Sequence, residues 1–173
     1  MRVERKKLVF FLLTIVVLSF FLFFLIGEEE KIVYPTYGRD TDGTLQDEIV
    51  RNNREGYETV LLKFFPYGYI EFYGWKNISM IKKVFAFVEW RTERDLGAGN
   101  IYIGYSFDGK NYVEVGPFNE SENYRVTVLE IPANIFTDLE NVKIRFRGED
   151  LDFATDAYAE VKVYLKVISY KFG

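Results

Sequence analysis

Trp75, Tyr73 and Tyr69 stand close together in the chain and offer the most legible chemistry in it. An aromatic face carries negative π density, and the C–H groups of a sugar ring pack against it. The three are therefore candidate ligand-binding residues for a glycan. The competing use of such rings is to fill a core or to pair across strands. Trp90, set inside the apolar stretch from Val84, reads as core. Trp75, between Gly74 and Lys76 at the end of a strand pattern, fits either role.

Carboxylates supply the second chemistry. Asp40, Asp42 and Asp47, followed by Glu48, cluster hard oxygen ligands of the kind that hold Ca²⁺, and Asp150, Asp152 and Asp156 form a second cluster. The spacing is not that of an EF-hand, and Asp-x-Asp-Gly also serves ordinary turns. Calcium is thus the one candidate cofactor, and no other is expected. Asn77-Ile78-Ser79 and Asn119-Glu120-Ser121 are N-glycosylation sequons, which makes Asn77 and Asn119 candidate modification sites. The chain has no histidine and no cysteine. It therefore lacks the usual base at neutral pH, imidazole and thiolate metal ligands, the Ser-His-Asp triad and any disulfide. A glycosidase pair could be drawn from the many carboxylates, but the sequence singles out no pair. The expectation is a protein that is not an enzyme.

These residues need elements to hold them in place. Residues 8–26, from Leu8 to Ile26, carry no charge and no proline. As a helix they span about 28 Å, close to the hydrocarbon thickness of a bilayer. Arg2, Arg5, Lys6 and Lys7 precede the run, and Glu28, Glu29 and Glu30 follow it. That asymmetry places the N-terminus in the cytoplasm and the remainder outside. The expected organisation is a cytoplasmic tail over 1–7, a single transmembrane helix over 8–26, a stalk and lead-in loop over 27–43, and an extracytoplasmic domain over 44–173. A cleaved signal peptide has a shorter apolar core and small residues at its cleavage site, which Phe24-Leu25-Ile26-Gly27-Glu28 does not provide. A pilin-type helix would call for a processing site that Lys7-Leu8 matches poorly.

The chain has 22 Lys and Arg against 26 Asp and Glu. Setting aside the four basic and one acidic residues of the tail leaves 18 and 25, a net of −7 for the rest. An acidic outer domain excludes nucleic acid as a partner, because that needs a basic footprint. The domain is also not expected to lie flat on anionic lipid. Gln46 is the only glutamine, and many Glu, Lys and aromatic residues accompany it. That balance points to a heat-adapted organism.

Beyond Gly43 the hydrophobic pattern has period two throughout. Strands are predicted at Tyr57–Phe64, Tyr67–Tyr73, Lys83–Arg91, Asn100–Phe107, Tyr112–Val115, Tyr124–Ile131, Asn141–Arg147 and Ala157–Tyr170. Asp108-Gly109 is a hairpin signal. The fold class is mainly β, an antiparallel β-sandwich of jelly-roll type preceded by the single transmembrane α-helix.

Ser106-Phe107-Asp108-Gly109-Lys110-Asn111-Tyr112-Val113-Glu114-Val115-Gly116 resembles the S-x-D-G-x-x-Y-x-x-V-G hairpin of galactose-binding-like (discoidin-like) jelly rolls. Leu139 to Gly148 and the long strand after it are similar to the closing half of those domains, so the resemblance covers Thr44 to Tyr170. It implies a sandwich that binds glycans, supports assembly or carries adhesive loops, here on a prokaryotic, archaeal-type surface protein. Family members often hold a structural calcium through an Asp of the last strand. The matching stretch, Val161 to Val167, has none.

The expected function is a membrane-anchored, non-catalytic cell-surface module that binds glycan or a partner protein of the envelope. The alternative is a structural subunit of a surface assembly such as a pilus, envelope layer or membrane complex. In that case the helix could oligomerise through bulky Phe and Leu side chains, since the run has no GxxxG.

Overall fold

Strand-forming alternation in the sequence becomes ten strands among the described residues of the computed structural model. The model describes residues 11–17, 26–40, 58–62, 68–92, 100–149 and 157–172. In chain order the strands are β1 (Ile26–Val33), β2 (Tyr37–Asp40), β3 (Glu58–Leu62), β4 (Gly68–Tyr73), β5 (Ile81–Thr92), β6 (Asn100–Ser106), β7 (Val113–Phe118), β8 (Arg125–Ile131), β9 (Lys143–Glu149) and β10 (Ala157–Phe172).

They form two antiparallel sheets. The first runs β1-β10-β5-β8, with β3 also on β10, and the second runs β2-β4-β9-β6-β7. Most connections carry the chain from one sheet to the other, which is how a sandwich buries both inner faces with short links. Of the β7 connections, that from β6 stays within one sheet, and it is the hairpin that Asp108-Gly109 predicts. β10 is the spine of the first sheet. It pairs with β5 along most of its length, with β1 from Leu165 to Phe172 and with β3 from Ala157 to Val161.

Alternation decides what lies inside. Val161, Val163, Leu165 and Val167 of β10 and Val84, Ala86, Val88 and Trp90 of β5 are buried. They meet Ile70 and Phe72 of β4, Ile101 and Ile103 of β6, and Ile144 and Phe146 of β9 in one core. The Trp90 ring lies 5.7 Å from that of Phe146 and 6.0 Å from that of Phe118. Its indole N–H donates to Thr127 Oγ1 at 3.1 Å, so the large side chain is buried with no polar atom stranded.

Two sequence expectations need correction. Residues 27–43 are not a stalk throughout: Ile26–Val33 and Tyr37–Asp40 are strands, so the sandwich begins at Ile26 and not at Thr44. The cause is pairing. The outward carboxylates of β1 find partners on β10 and, beyond it, on β5, Glu30 with Lys166 at 2.7 Å and Glu28 with Lys82, and this lets a charged segment serve as an edge strand. Trp75 is not a surface platform: it is 1% exposed and belongs to the core.

Of the apolar run, residues 11–17 are helical. Among the described residues no helix is long and apolar enough to cross a membrane. Residues 1–7, Asp42, Asp47, Asp150, Asp152 and Asp156 lie outside the described residues.

Candidate functional site

The outer face of the second sheet gathers the polar and aromatic residues that period-two alternation turns away from the core. Tyr69, Glu71 and Tyr73 project there from β4; Lys143, Arg145 and Arg147 from β9; Tyr102 and Gly104 from β6; Arg39 from β2; and Glu114 from β7. Register aligns them into rows across the strands. Arg39 sits opposite Glu71, Glu71 opposite Arg145, Arg145 opposite Gly104, and Gly104 opposite Glu114. This row alternates in sign and is interrupted only by the glycine. Beside it, Tyr69 lies opposite Arg147, and Arg147 opposite Tyr102.

The glycine explains the geometry of the next contact. A Cβ at Gly104 would fall 2.7 Å from Glu114 Cγ and 2.7 Å from the Val113 carbonyl oxygen. Without it, Glu114 lies across β6 and reaches β9. It accepts from Arg145 Nη2 and Arg147 Nη2, both at 2.9 Å, and from Arg147 Nε at 3.2 Å. Burial acts to raise the Glu114 carboxyl, but hydrogen bonds and charge from Arg147 and Arg145 outweigh it, and the group titrates below its ordinary value of 4.5. Such a group is held ionised, which is the opposite of what a general acid needs.

Glu71 forms the second anchor. Its side chain is 1% exposed, and it pairs with Arg39 Nη2 at 2.8 Å and lies 3.7 Å from Lys143 Nζ. Tyr112, at the end of the hairpin, donates its hydroxyl to the same carboxylate and lays its ring 3.5 Å from the Arg145 guanidinium. Burial, then the hydrogen bond to Glu71 and its charge, push the Tyr112 hydroxyl above its ordinary 10.0. The hairpin is itself held by Asp108. That carboxylate accepts from the backbone N–H groups of Lys110 and Asn111, both at 2.8 Å, and from Asn111 Nδ2 at 2.7 Å. These bonds drive its titration far below the usual carboxylate range.

Cations also lie over the flanking tyrosines: Arg147 is 4.3 Å from the Tyr102 ring, Lys143 5.5 Å from Tyr73 and Arg145 5.7 Å from Tyr69. Tyr73 further meets Tyr37, their centroids 5.5 Å apart. The face is thus a pre-set array of guanidinium donors, carboxylate acceptors and partly exposed rings. Its donors and acceptors are paired with one another, and the tyrosine rings carry cations over them.

Two of the three predicted aromatic residues, Tyr69 and Tyr73, are on this face. Trp75 is not. Gly74 adopts φ +72°, a left-handed turn that breaks the alternation after Tyr73 and sends the next side chain inward. The indole N–H of Trp75 then donates to the Val142 carbonyl at 2.8 Å. Asp40 ends β2 opposite Ile70. Asn77 and Asn119 are both exposed, and Asn77 Oδ1 accepts from Leu139 N at 3.3 Å. Sequence reasoning missed Glu71, Tyr112, Glu114, Arg145 and Arg147. The available signal was Lys143-x-Arg145-x-Arg147, three cations on one face of one strand, beside Tyr69-x-Glu71-x-Tyr73.

No family model matches the chain, and no curated protein matches it. Among solved structures, the chain is similar to TmCBM61 in complex with β-1,4-galactotriose, at 10% identity and a TM-score of 0.40 over 81% of this chain and 86% of that one. It is also similar to the N-terminal cellulose-binding domain of Cellulomonas fimi β-1,4-glucanase C, at 14% identity and a TM-score of 0.34 over 85% of this chain and 89% of that one. Both scores are too low for the overlap to argue for a shared ligand.

Proposed function

We propose that the chain is a membrane-anchored, non-catalytic surface module that binds glycan on the outer face of its second sheet. The observation that carries the binding reading is the row Arg39-Glu71-Arg145-Gly104-Glu114 with Tyr69, Tyr73 and Tyr102 beside it. Two features support the anchor. Residues 8–26 are uncharged, and within helical residues 11–17 Phe11, Leu12, Leu13, Ile15, Val16 and Val17 are each at least 46% exposed. A helix apolar on all sides requires an apolar surrounding, which lipid provides.

The test is binding of the full chain, held in nanodiscs, to a broad glycan array. Tyr102→Ala and Tyr73→Ala should each weaken retention of a bound glycan by about tenfold or more, the scale of losing one stacking or buried contact. Phe87→Ala, on the outer face of the other sheet, should leave it unchanged. A uniformly blank array would remove the glycan reading.

A specific observation favours a second reading, a subunit of a surface assembly. On the outer face of the first sheet, Phe87 stacks on Tyr164 at 5.1 Å, beside Val126 and Val128, which are 58% and 48% exposed. Crosslinking in native membranes that captures only monomers would count against it.

A further inference from the structure

The edge of the sandwich beside β1 holds a cleft of about 790 Å³. One wall is the inward side of β1 with the end of β10; the other is the chain from Lys76 to Ser79. Its apolar floor includes Val33, 7% exposed, and Ile78, which packs on the core. Among the described residues, the charged ones lining it are Lys31, Lys76 and Lys171 against Glu29. In a chain of net charge −4 this is a local reversal of sign. Lys31 and Lys171 both lower the Glu29 carboxyl, Lys31 chiefly through the hydrogen bond it donates at 2.9 Å. The second wall is fixed by an unusual residue. Met80 adopts φ +57°, and its carbonyl accepts from Tyr170 N at 2.8 Å, pinning the chain after Ser79 to β10. Positive φ at a side-chain-bearing residue costs conformational energy and collects at functional clefts.

Position adds the decisive observation. β1 starts at Ile26, the last residue of the apolar run, and Gly27 pairs with Lys171. Lys31 follows four residues later, about 14 Å along an antiparallel strand. Lys171, opposite Gly27, therefore stands beside the end of the apolar run, the part of the sandwich that an adjoining headgroup layer would reach first.

We propose that this cleft binds a phosphate-bearing anion, the group that phospholipids display at the bilayer surface. The source of the anion rests on the membrane-anchored reading above; the cleft itself does not. Its ammonium groups would take the phosphate oxygens, and Ile78 and Val33 the adjoining carbon chain. An acidic domain so tethered gains one defined contact with a surface that would otherwise repel it.

The test is a lysine-acetylation footprint of the full chain, read by mass spectrometry. Three states are compared: nanodiscs of phosphatidylcholine alone, nanodiscs containing phosphatidylglycerol, and detergent with added inorganic phosphate. Several-fold protection of Lys31, Lys76 and Lys171 in the anionic discs, with Lys110 unchanged, supports a lipid anion. Protection by inorganic phosphate alone supports the anion site and assigns it to a soluble phosphate. The double variant Lys76→Gln/Lys171→Gln, at two exposed positions, should keep its fold and lose protection at Lys31. Labelling in all three states equal to that in phosphate-free detergent overturns the proposal; equal protection in the two discs supports the phosphate that both lipids carry. If the chain fails to enter nanodiscs, the anchor reading falls while the phosphate arm still decides the cleft.

Discussion

Glu114 reaches Arg147 on a strand it does not pair with, passing over the bare backbone of Gly104 to accept at 2.9 Å. The contact depends on an absent Cβ. Gly104→Ala should place a methyl group against the Val113 carbonyl, which cannot move as a flexible side chain can. The expected loss is about 1–3 kcal/mol in urea unfolding. Glycan retention should weaken in step, because Arg145 and Arg147 lose the carboxylate that orients them.

Trp75→Phe should separate core from surface. It strands the Val142 carbonyl, which now accepts the indole N–H. A stability loss of about 1–3 kcal/mol is expected from the unsatisfied group, with array binding unchanged. Weakened binding without a stability loss would put Trp75 back at a ligand site.

Acid should weaken the fold partly through Glu114. Its carboxyl titrates lower in the folded chain than in the unfolded one, so the unfolded chain takes up the proton first as pH falls. The stabilising contribution is fully present above the ordinary value of 4.5 and is lost as pH drops through the folded value. Glu114→Gln should flatten the acid limb of a stability-versus-pH curve and leave the neutral region offset by a constant amount.

Alkali should act through Tyr112 with the opposite sense. Its folded hydroxyl holds the proton above the ordinary 10.0, so its contribution is present below that pH and is lost as pH rises further. Tyr112→Phe should remove that alkaline dependence. Absorbance of tyrosinate at high pH, compared between the two proteins, checks the assignment directly.

The sequence carried most of this sandwich because alternation survives wherever one face is wet. Val161, Val163, Leu165 and Val167 announce β10 unaided, and Asp108-Gly109 announces the hairpin. β1 was hidden because Gly27-Glu28-Glu29-Glu30-Lys31 shows no alternation; its outward charges are matched by Lys82 and Lys166, which are distant in sequence. The candidate face was half legible. Tyr69 and Tyr73 could be named from their own strand, whereas Glu71, Arg145 and Glu114 acquire meaning only from the register of four neighbouring strands. Trp75 was misplaced because one left-handed residue, Gly74, cancels the parity on which such readings depend.

The absence of a stalk between Ile26 and the sheet has a mechanical consequence. β1 pairs residue for residue with β10 from Ile26 to Val33, and ladder hydrogen bonds run across the strands. Tension that enters at Ile26 along the strand, against a load held on the second sheet, shears that whole ladder at once and does not open it one pair at a time. A domain grasping a ligand on its far face would then resist a steady pull with its longest strand as the brace.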